Sequence, residues 1–232
     1  PPGERLYEFV RPFFDGLPGT IRAIRANEFG GTIRIYAASK FIVELLPDWL
    51  RRVSENRPDI RIELFETEHP DTTLLETSEA DMIVDFFGHA IGPDFHRKEI
   101  ARTYGCIIVP DALAEKMNGQ LNVEFLSKMP FVGYHPNLLH AELQTQSAHQ
   151  LGLNLQPVAS VESLEAILAL VQSGIGYSLI ASLEPNGPKR AGITCFQPPS
   201  SNISFPIQVV WHKRKPEHPL VAEMLKYSSR AP

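Results

Sequence analysis

Residues 32–65 read TIRIYAASKFIVELLPDWLRRVSENRPDIRIELF, and their pattern indicates the fold class. Residues 32–37 alternate apolar and polar side chains, as a half-buried strand does. Apolar residues then recur at helical spacing over 45–53, where Pro47 is tolerated only in the first turn of a helix. Residues 60–65 form a second apolar strand. Strand, helix and strand in this order predict a right-handed crossover between parallel strands.

The same alternation continues along the rest of the chain. A short helix over 72–79 and a third strand over 81–86 complete the first set. A second set follows, with strands at 106–109, 131–134, 177–180 and 193–196 and helices near 111–117, 123–127, 138–151 and 162–173. A last strand over 206–212 and a terminal helix can return to finish the first lobe. The predicted fold class is α/β, with two Rossmann-like lobes joined by two crossover strands that act as a hinge.

The first 29 residues differ from the rest of the sequence. Their apolar side chains fall at helix-like spacing, which predicts an amphipathic helix. We expect this helix to be interrupted at Pro12 and Gly16, because an interior proline removes a hydrogen bond and clashes with the preceding turn. The apolar stripe needs a partner to cover it; its residues are Leu6, Phe9, Val10, Phe13 and Phe14.

Composition excludes several classes of protein. The 232 residues are 43% hydrophobic and 21% charged, which is typical of a globular chain and long enough for two small lobes. A net charge of −5 opposes nucleic-acid binding by this segment alone. The sequence contains no apolar run near the ~20 residues that cross a bilayer. We expect a cytoplasmic domain, with Cys106 and Cys195 reduced in the core; a redox role for this pair stays open.

The sequence contains no complete catalytic or cofactor motif. Residues 174–179 (GIGYSL) lack the third glycine of a dinucleotide fingerprint. Ser178 lacks the closing glycine of a nucleophile elbow, so we interpret it as a strand residue. His135 and His140 are five residues apart and do not share a helical face. The expectation is a protein that is not an enzyme and takes no cofactor and no metal.

Polar residues near strand ends offer a different kind of site. Ser39 and Lys40 lie between the first strand and the first helix, and residues 160–163 (SVES) lie between a strand and a helix of the second set. Ligands of open α/β sheets bind at such ends. Backbone N–H groups at two helix starts, with one ammonium at Lys40, favour a small anion such as a carboxylate. The alternative is that Ser160 or Ser163 only caps a helix and Lys40 is a solvated surface residue.

Several segments together resemble the LysR-type bacterial transcriptional regulators over nearly the whole chain. The segments are 2–6 (PGERL), similar to the tail of the family's "LT-x-x-G-x-x-L", 31–35 (GTIRI), 45–47 (LLP), 58–64 (PDIRIEL), 79–84 (EADMIV) and 171–176 (VQSGIG). No single string is specific, but their order and spacing are. The match begins partway through the family's linker helix, so the winged helix-turn-helix domain is expected to precede Pro1.

The resemblance implies a fold, a set of partners and a site. It implies two type-2 periplasmic-binding-protein-like lobes, a homodimer through this domain, a tetramer at full length, and DNA contact only through the N-terminal domain. It places a small-molecule effector in the interlobe cleft. Carried over by position, the contacts are Ser39, Lys40, Thr67, Phe87, His89, Tyr134, His135, Ser160, Val161, Glu162 and Ser163.

The resemblance also implies boundaries and has departures. Residues 1–29 would be a linker-helix remnant, 30–102 with 206–232 regulatory lobe I, and 103–205 regulatory lobe II. Lys40 stands where many members have Ser or Thr, which makes an anionic effector more plausible. Pro12 and Pro18 are unusual in a continuous linker helix. A periplasmic-type solute-binding protein of the same fold is the alternative; it should carry a signal peptide and be monomeric.

Overall fold

The structure is a computed structural model that describes residues 3–11, 14, 17, 21, 31–67, 71–87, 91–198, 204–213 and 218–228. It divides into two compact units. Unit 1 comprises Pro1–Ala101 and Ile207–Pro232, and unit 2 comprises Arg102–Pro206. Residues 3–11 are helical, as are Phe14, Leu17 and Ile21. Pro12, Gly16 and Pro18 lie outside the described residues, so the interruption expected there stays a prediction.

The helices and strands follow one another in chain order. They are β1 (Thr32–Ala37), α1 (Ser39–Glu44), α2 (Leu46–Asn56), β2 (Arg61–Glu66), α3 (Thr73–Glu76), β3 (Met82–Phe86), β4 (Phe95–Pro110), α4 (Asp111–Lys116), α5 (Val123–Leu126), β5 (Phe131–Tyr134), α6 (Leu139–Gln150), β6 (Pro157–Val161), α7 (Leu164–Gln172), β7 (Ser178–Ser182), β8 (Ile193–Phe196), β9 (Ser204–His212) and α8 (Pro219–Lys226). Within the described residues, none of the helices has the length and apolar character that a membrane crossing requires.

Unit 1 is built on a sheet in which β1 lies between β2 and β3 and is parallel to both. Alternation makes one face of β1 apolar, and Ile33, Ile35 and Ala37 on that face are fully buried. The chain returns to this sheet through β9, which pairs antiparallel with β3. The predicted parallel crossover is therefore present, and the final strand runs in the opposite direction.

The terminal helix α8 completes the core of unit 1. Leu220, Val221 and Met224 on α8 are buried. Trp49 of α2 is also buried, and its Nε1 donates a hydrogen bond of 2.8 Å to the carbonyl oxygen of Met224. A buried indole N–H needs such a partner, so this bond fixes α8 against α2.

Unit 2 has a mixed sheet arrangement. The unit 2 part of β4 pairs antiparallel with β7 and with β8, whereas β5 and β6 pair parallel. Alternate side chains of β4 enter two apolar clusters. Ile107 and Val109 pack with residues of α4 and α5, and Cys106 and Ile108 pack with residues of α7. The pattern of strands and helices that restarts near residue 106 is thus a second unit, but its sheet is less parallel than that of unit 1.

The structure corrects several predicted boundaries. The strand expected at 106–109 begins at Phe95, and the segment after Lys40, expected to lead into one helix, is the separate helix α1. The helix expected from residue 162 begins at Leu164, because 157–161 form strand β6. The short helix expected over 72–79 ends at Glu76.

Gln144 of α6 joins two strands of unit 2 that separate from each other. β5 and β7 meet at the bridge between Phe131 and Tyr177. Beyond it, the Gln144 Oε1 accepts a hydrogen bond of 2.9 Å from the Tyr134 N–H, and its Nε2 donates one of 2.7 Å to the Leu179 carbonyl. Its side chain is 6% exposed. Gln144 therefore satisfies backbone groups that a continuous sheet would pair with each other.

We predict that Gln144→Met destabilises unit 2 by about 2–6 kcal/mol, because two buried backbone groups lose their partner at ~1–3 kcal/mol each. Gln146→Met, in the same helix but exposed, should change stability by less than about 0.5 kcal/mol. Urea unfolding followed by circular dichroism measures both. Equal effects of the two substitutions would contradict the bridging role.

Candidate functional site

In unit 1, four of the predicted contact residues follow three neighbouring strands. Ser39 and Lys40 follow β1, Thr67 follows β2, and Phe87 follows β3. These strands are parallel neighbours, so their carboxyl ends lie at one edge of the sheet. The Thr67 N–H donates to the Ala37 carbonyl at 3.0 Å, which holds the first two ends together. The fold thus brings these residues into one group, here called the unit 1 strand-end group.

Ser39 and Lys40 lie in a helix and not in the loop that the sequence predicted. Both are the first residues of α1, a helix of six residues, and not a loop before a longer helix. Ala38 is the N-cap and supplies no side-chain hydrogen bond. Both side chains are half-buried, and Lys40 takes part in a polar contact. His89, a further predicted contact, lies outside the described residues.

In unit 2, a second group forms at the ends of β5 and β6. Tyr134 ends β5 and pairs in register with Val161, the last residue of β6. The His135 N–H donates to the Val161 carbonyl at 2.8 Å, which continues the parallel pairing by one residue. Tyr134 is buried, while His135 is exposed and its Nδ1 contacts Asn137 Oδ1. With Ser160, Glu162 and Ser163, these residues form the unit 2 strand-end group.

Residues 160–163 do not all stand at a helix start, as the sequence had suggested. Ser160 and Val161 belong to β6, and Glu162 is in the bend that follows. Ser163 is the N-cap of α7, where its Oγ accepts a hydrogen bond of 3.3 Å from the Ala166 N–H. Ser163 therefore caps a helix and Ser160 does not, because Ser160 lies within β6. That Ser163 also contacts a ligand stays a prediction.

Fixed charges differ between the two groups. The unit 1 strand-end group contains the ammonium of Lys40, whereas the unit 2 group contains the exposed carboxylate of Glu162. Glu165 in the first turn of α7 is paired with Arg190 at 2.7 Å. Among the described residues, no cluster of three His, Cys, Asp or Glu side chains could hold a metal ion.

The two cysteines lie in unit 2 as free thiols. Cys106 is buried, and Cys195 on β8 is half-buried, with its Sγ 3.4 Å from the Pro188 carbonyl oxygen. Burial raises the pKa of the Cys195 thiol. A raised pKa lowers the thiolate fraction at neutral pH, which disfavours the redox role left open by the sequence.

No pattern in the sequence indicates the pocket that unit 2 contains. It lies beneath α6, and its walls include Tyr134, Gln144 and Ala181. The buried face of a helix is recognised in a sequence by its apolar residues, whereas α6 buries a glutamine and a serine where an apolar stripe would be expected.

Asp85 of β3 in unit 1 is a second buried polar residue. Its Oδ1 accepts a hydrogen bond of 2.6 Å from the Phe86 N–H. An isolated Asp in an apolar strand would have been the only clue to it.

Two α/β units that each gather polar residues at strand ends define a small-molecule-binding domain. The family model described as the LysR substrate binding domain matches residues 26–231, so the chain belongs to this family. This is a family of transcriptional regulators, which confirms the expectation that the domain is not an enzyme. None of the curated proteins compared with the chain matches it.

Solved structures share the fold at low sequence identity. CbnR, a LysR family transcriptional regulator, is 18% identical with a TM-score of 0.72, over 99% of this chain and 81% of that chain. The BenM effector binding domain with its effector benzoate is 18% identical with a TM-score of 0.71, over 85% and 90%. The cofactor-binding domain of the Cbl transcriptional regulator is 18% identical with a TM-score of 0.73, over 85% and 87%. These similarities confirm the predicted periplasmic-binding-protein-like fold.

We predict that Ser163→Ala lowers the stability of unit 2 by about 1 kcal/mol, because the first turn of α7 loses its side-chain acceptor. Ser163→Asn should restore most of it, since Asn also caps well. Ser173→Ala, at the other end of the same helix, is the matched control and should cost less. Thermal unfolding of the three variants measures this. If Ser163→Ala and Ser173→Ala are equal, Ser163 is not an effective cap.

Proposed function

We propose that this chain is the effector-sensing and oligomerisation domain of a bacterial, cytoplasmic LysR-type transcriptional regulator. The observation that carries the proposal is the grouping of predicted contact residues at the carboxyl ends of parallel strands in each unit. Lobe I at 30–102 with 206–232, lobe II at 103–205 and a linker remnant at 1–29 belong to this proposal. Effector binding would change the conformational equilibrium that the DNA-binding domains of the full-length protein read out.

We propose further that the effector is a small anion. Lys40 is the one Lys or Arg among the proposed contacts, and an ammonium in a strand-end group favours a carboxylate. Tyr134 of unit 2, a further proposed contact, carries an aromatic ring. BenM was solved with its effector benzoate, an aromatic carboxylate. Small aromatic acids are therefore the first ligands to test.

The test is a thermal-shift screen with pairs of ligands that match in shape and differ in charge, such as benzoate and benzamide. A ligand at about 100 times its dissociation constant adds about 2.7 kcal/mol of stability. The proposal expects acids to stabilise the chain and their amides to fail. A panel in which amides stabilise as strongly as acids would contradict an anionic effector.

We predict that Lys40→Ala weakens the binding of an acid found in this screen by about 10-fold to 100-fold, the range for a charge-assisted contact worth ~1.5–3 kcal/mol. Lys40→Arg should retain most of the affinity, because it keeps the charge. Lys116→Ala removes an exposed lysine of α4 and is the control. Isothermal titration calorimetry measures all three. Unchanged affinity in Lys40→Ala would reject Lys40 as the anion contact.

The N-terminal helical segment supports oligomerisation of the chain. Tyr7, Phe14 and Ile21 are spaced by seven residues, and Leu17 lies three residues after Phe14. A seven-residue repeat with apolar positions three or four apart is the pattern of a two-stranded coiled coil. These side chains are exposed, Phe14 by 61%. We propose that a second copy of the chain covers this surface in a homodimer.

We predict that Phe14→Glu weakens the homodimer at least about tenfold, because a charge would enter the apolar seam. Phe9→Glu is the matched control: Phe9 belongs to the apolar stripe predicted from the sequence, but it is 83% exposed and lies off the heptad positions of Tyr7 and Phe14 that form the proposed seam. Sedimentation velocity over a concentration series measures dissociation. Equal weakening by both substitutions, or a monomeric parent chain, would contradict a dimer through this seam.

A further inference from the structure

The pocket beneath α6 arises from the way unit 2 is built. β5 and β7 are held together as far as Ser178, whose Oγ donates a hydrogen bond of 2.7 Å to the Val132 carbonyl. Beyond that point the strands separate, and Gln144 fills the first part of the gap. Gly105 and Ala181 are opposite each other in the β4–β7 pairing. Beyond Gln144, this pair therefore contributes almost no side-chain volume to fill the gap. The empty space follows directly from this pair of small residues.

The walls of the pocket are apolar and carry no fixed charge. None of the lining residues is Lys, Arg, Asp or Glu. Two of the polar groups among them are engaged: the amide of Gln144 bonds backbone groups, and the Ser147 Oγ donates a hydrogen bond of 2.8 Å to the Leu143 carbonyl. Tyr134 and His140 place two rings in the wall, with centroids 5.1 Å apart. Such a lining favours an uncharged, ring-containing molecule over an ion.

The size of the pocket limits the ligand. Together with its open mouth, it contains about 410 Å³ of empty space, a volume that includes open solvent. Because this volume includes the solvent in the mouth, it is an upper limit for the ligand, which we therefore restrict to a molecule of one ring that extends into the mouth.

The pocket also touches the two segments that connect unit 2 to the rest of the chain. Gly105 lies on β4 and Phe205 on β9, and both line the pocket. β4 and β9 also contact each other within unit 2, since the Thr103 Oγ1 donates a hydrogen bond of 3.3 Å to the Phe205 carbonyl. A bound molecule would therefore contact both connecting strands.

We infer that unit 2 contains a second, separate ligand site beneath α6, which takes a small uncharged aromatic molecule. It differs from the proposed anion contacts in charge and in residues, sharing only Tyr134 with them. Contact with both connecting strands gives this site a route to modulate the regulator, because a ligand that prefers one arrangement of these strands changes its population.

The test uses phenol as the probe and benzoate as its charged counterpart, titrated into the chain at pH 8, above the range in which unperturbed histidine titrates. Phenol should bind with a dissociation constant of about 0.1–1 mM, as expected for a ligand of this size. In the Lys40→Ala background, benzoate should bind at least about tenfold more weakly than phenol, because its carboxylate would be buried without a partner. Equal binding of both probes there would overturn the inferred selectivity.

A filling substitution locates the site. Ala181→Leu should weaken phenol binding at least about tenfold, because the added side chain occupies the space. Ala169→Leu, exposed on α7, is the control and should leave the affinity unchanged. Lys40→Ala should also leave phenol binding unchanged, which separates this site from the proposed anion contacts. Unchanged affinity in Ala181→Leu would overturn the inference.

A second measurement does not depend on the filled variant folding. Methyl-labelled chain saturated with phenol should show nuclear Overhauser contacts from the ring protons to the methyl groups of Leu143, Ile180 and Ala181. Contacts confined to other methyl groups, or shifts that rise linearly without saturation, would show that phenol does not occupy this pocket.

Discussion

The antiparallel pairing of β3 with β9 is the constraint on which the arrangement of the chain depends. It joins residues 83–86 to 207–210, so the two paired segments are separated by more than a hundred residues in sequence. Ile83, Val84, Val209 and Val210 are fully buried in this pairing. Unit 1 is therefore incomplete until its C-terminal segment has been added, and unit 2 is an insertion into it. The bond from Trp49 to the Met224 carbonyl depends on this return, since α8 follows β9.

Sequence patterns predicted elements well where burial is one-sided. Alternation located β1 without error because its inner face is fully buried, and β5 and β8 were located equally well. The first half of β4 was missed because residues 96–101 carry four charged or histidine side chains and none of the six is buried. This half of β4 is a strand because it pairs with a neighbouring strand, and not because its own sequence has a strand pattern. Helix α1 was missed because it is short and buries only Phe41, and Pro47 starts a new helix after it.

The candidate contacts were predictable to the extent that they follow from strand direction. Parallel neighbours must end at one edge, which brings Thr67 beside Ala37 and His135 beside Val161. The pocket beneath α6 could not be predicted, because it arises where β5 and β7 separate and where two small residues meet across strands. Gln144 carries no sequence signal for either feature. A glutamine in a polar helix is normally solvent-exposed, and only the unpaired edges of two strands make its burial favourable.

The two strand-end groups differ in what each could offer the proposed anionic effector. In unit 2 the Ser163 hydroxyl oxygen already accepts a hydrogen bond from the Ala166 N–H, which caps α7. Glu162 beside it adds a negative charge, which opposes an anion. Among the proposed contacts, Lys40 of unit 1 is therefore the Lys or Arg that would compensate the charge of an anionic effector.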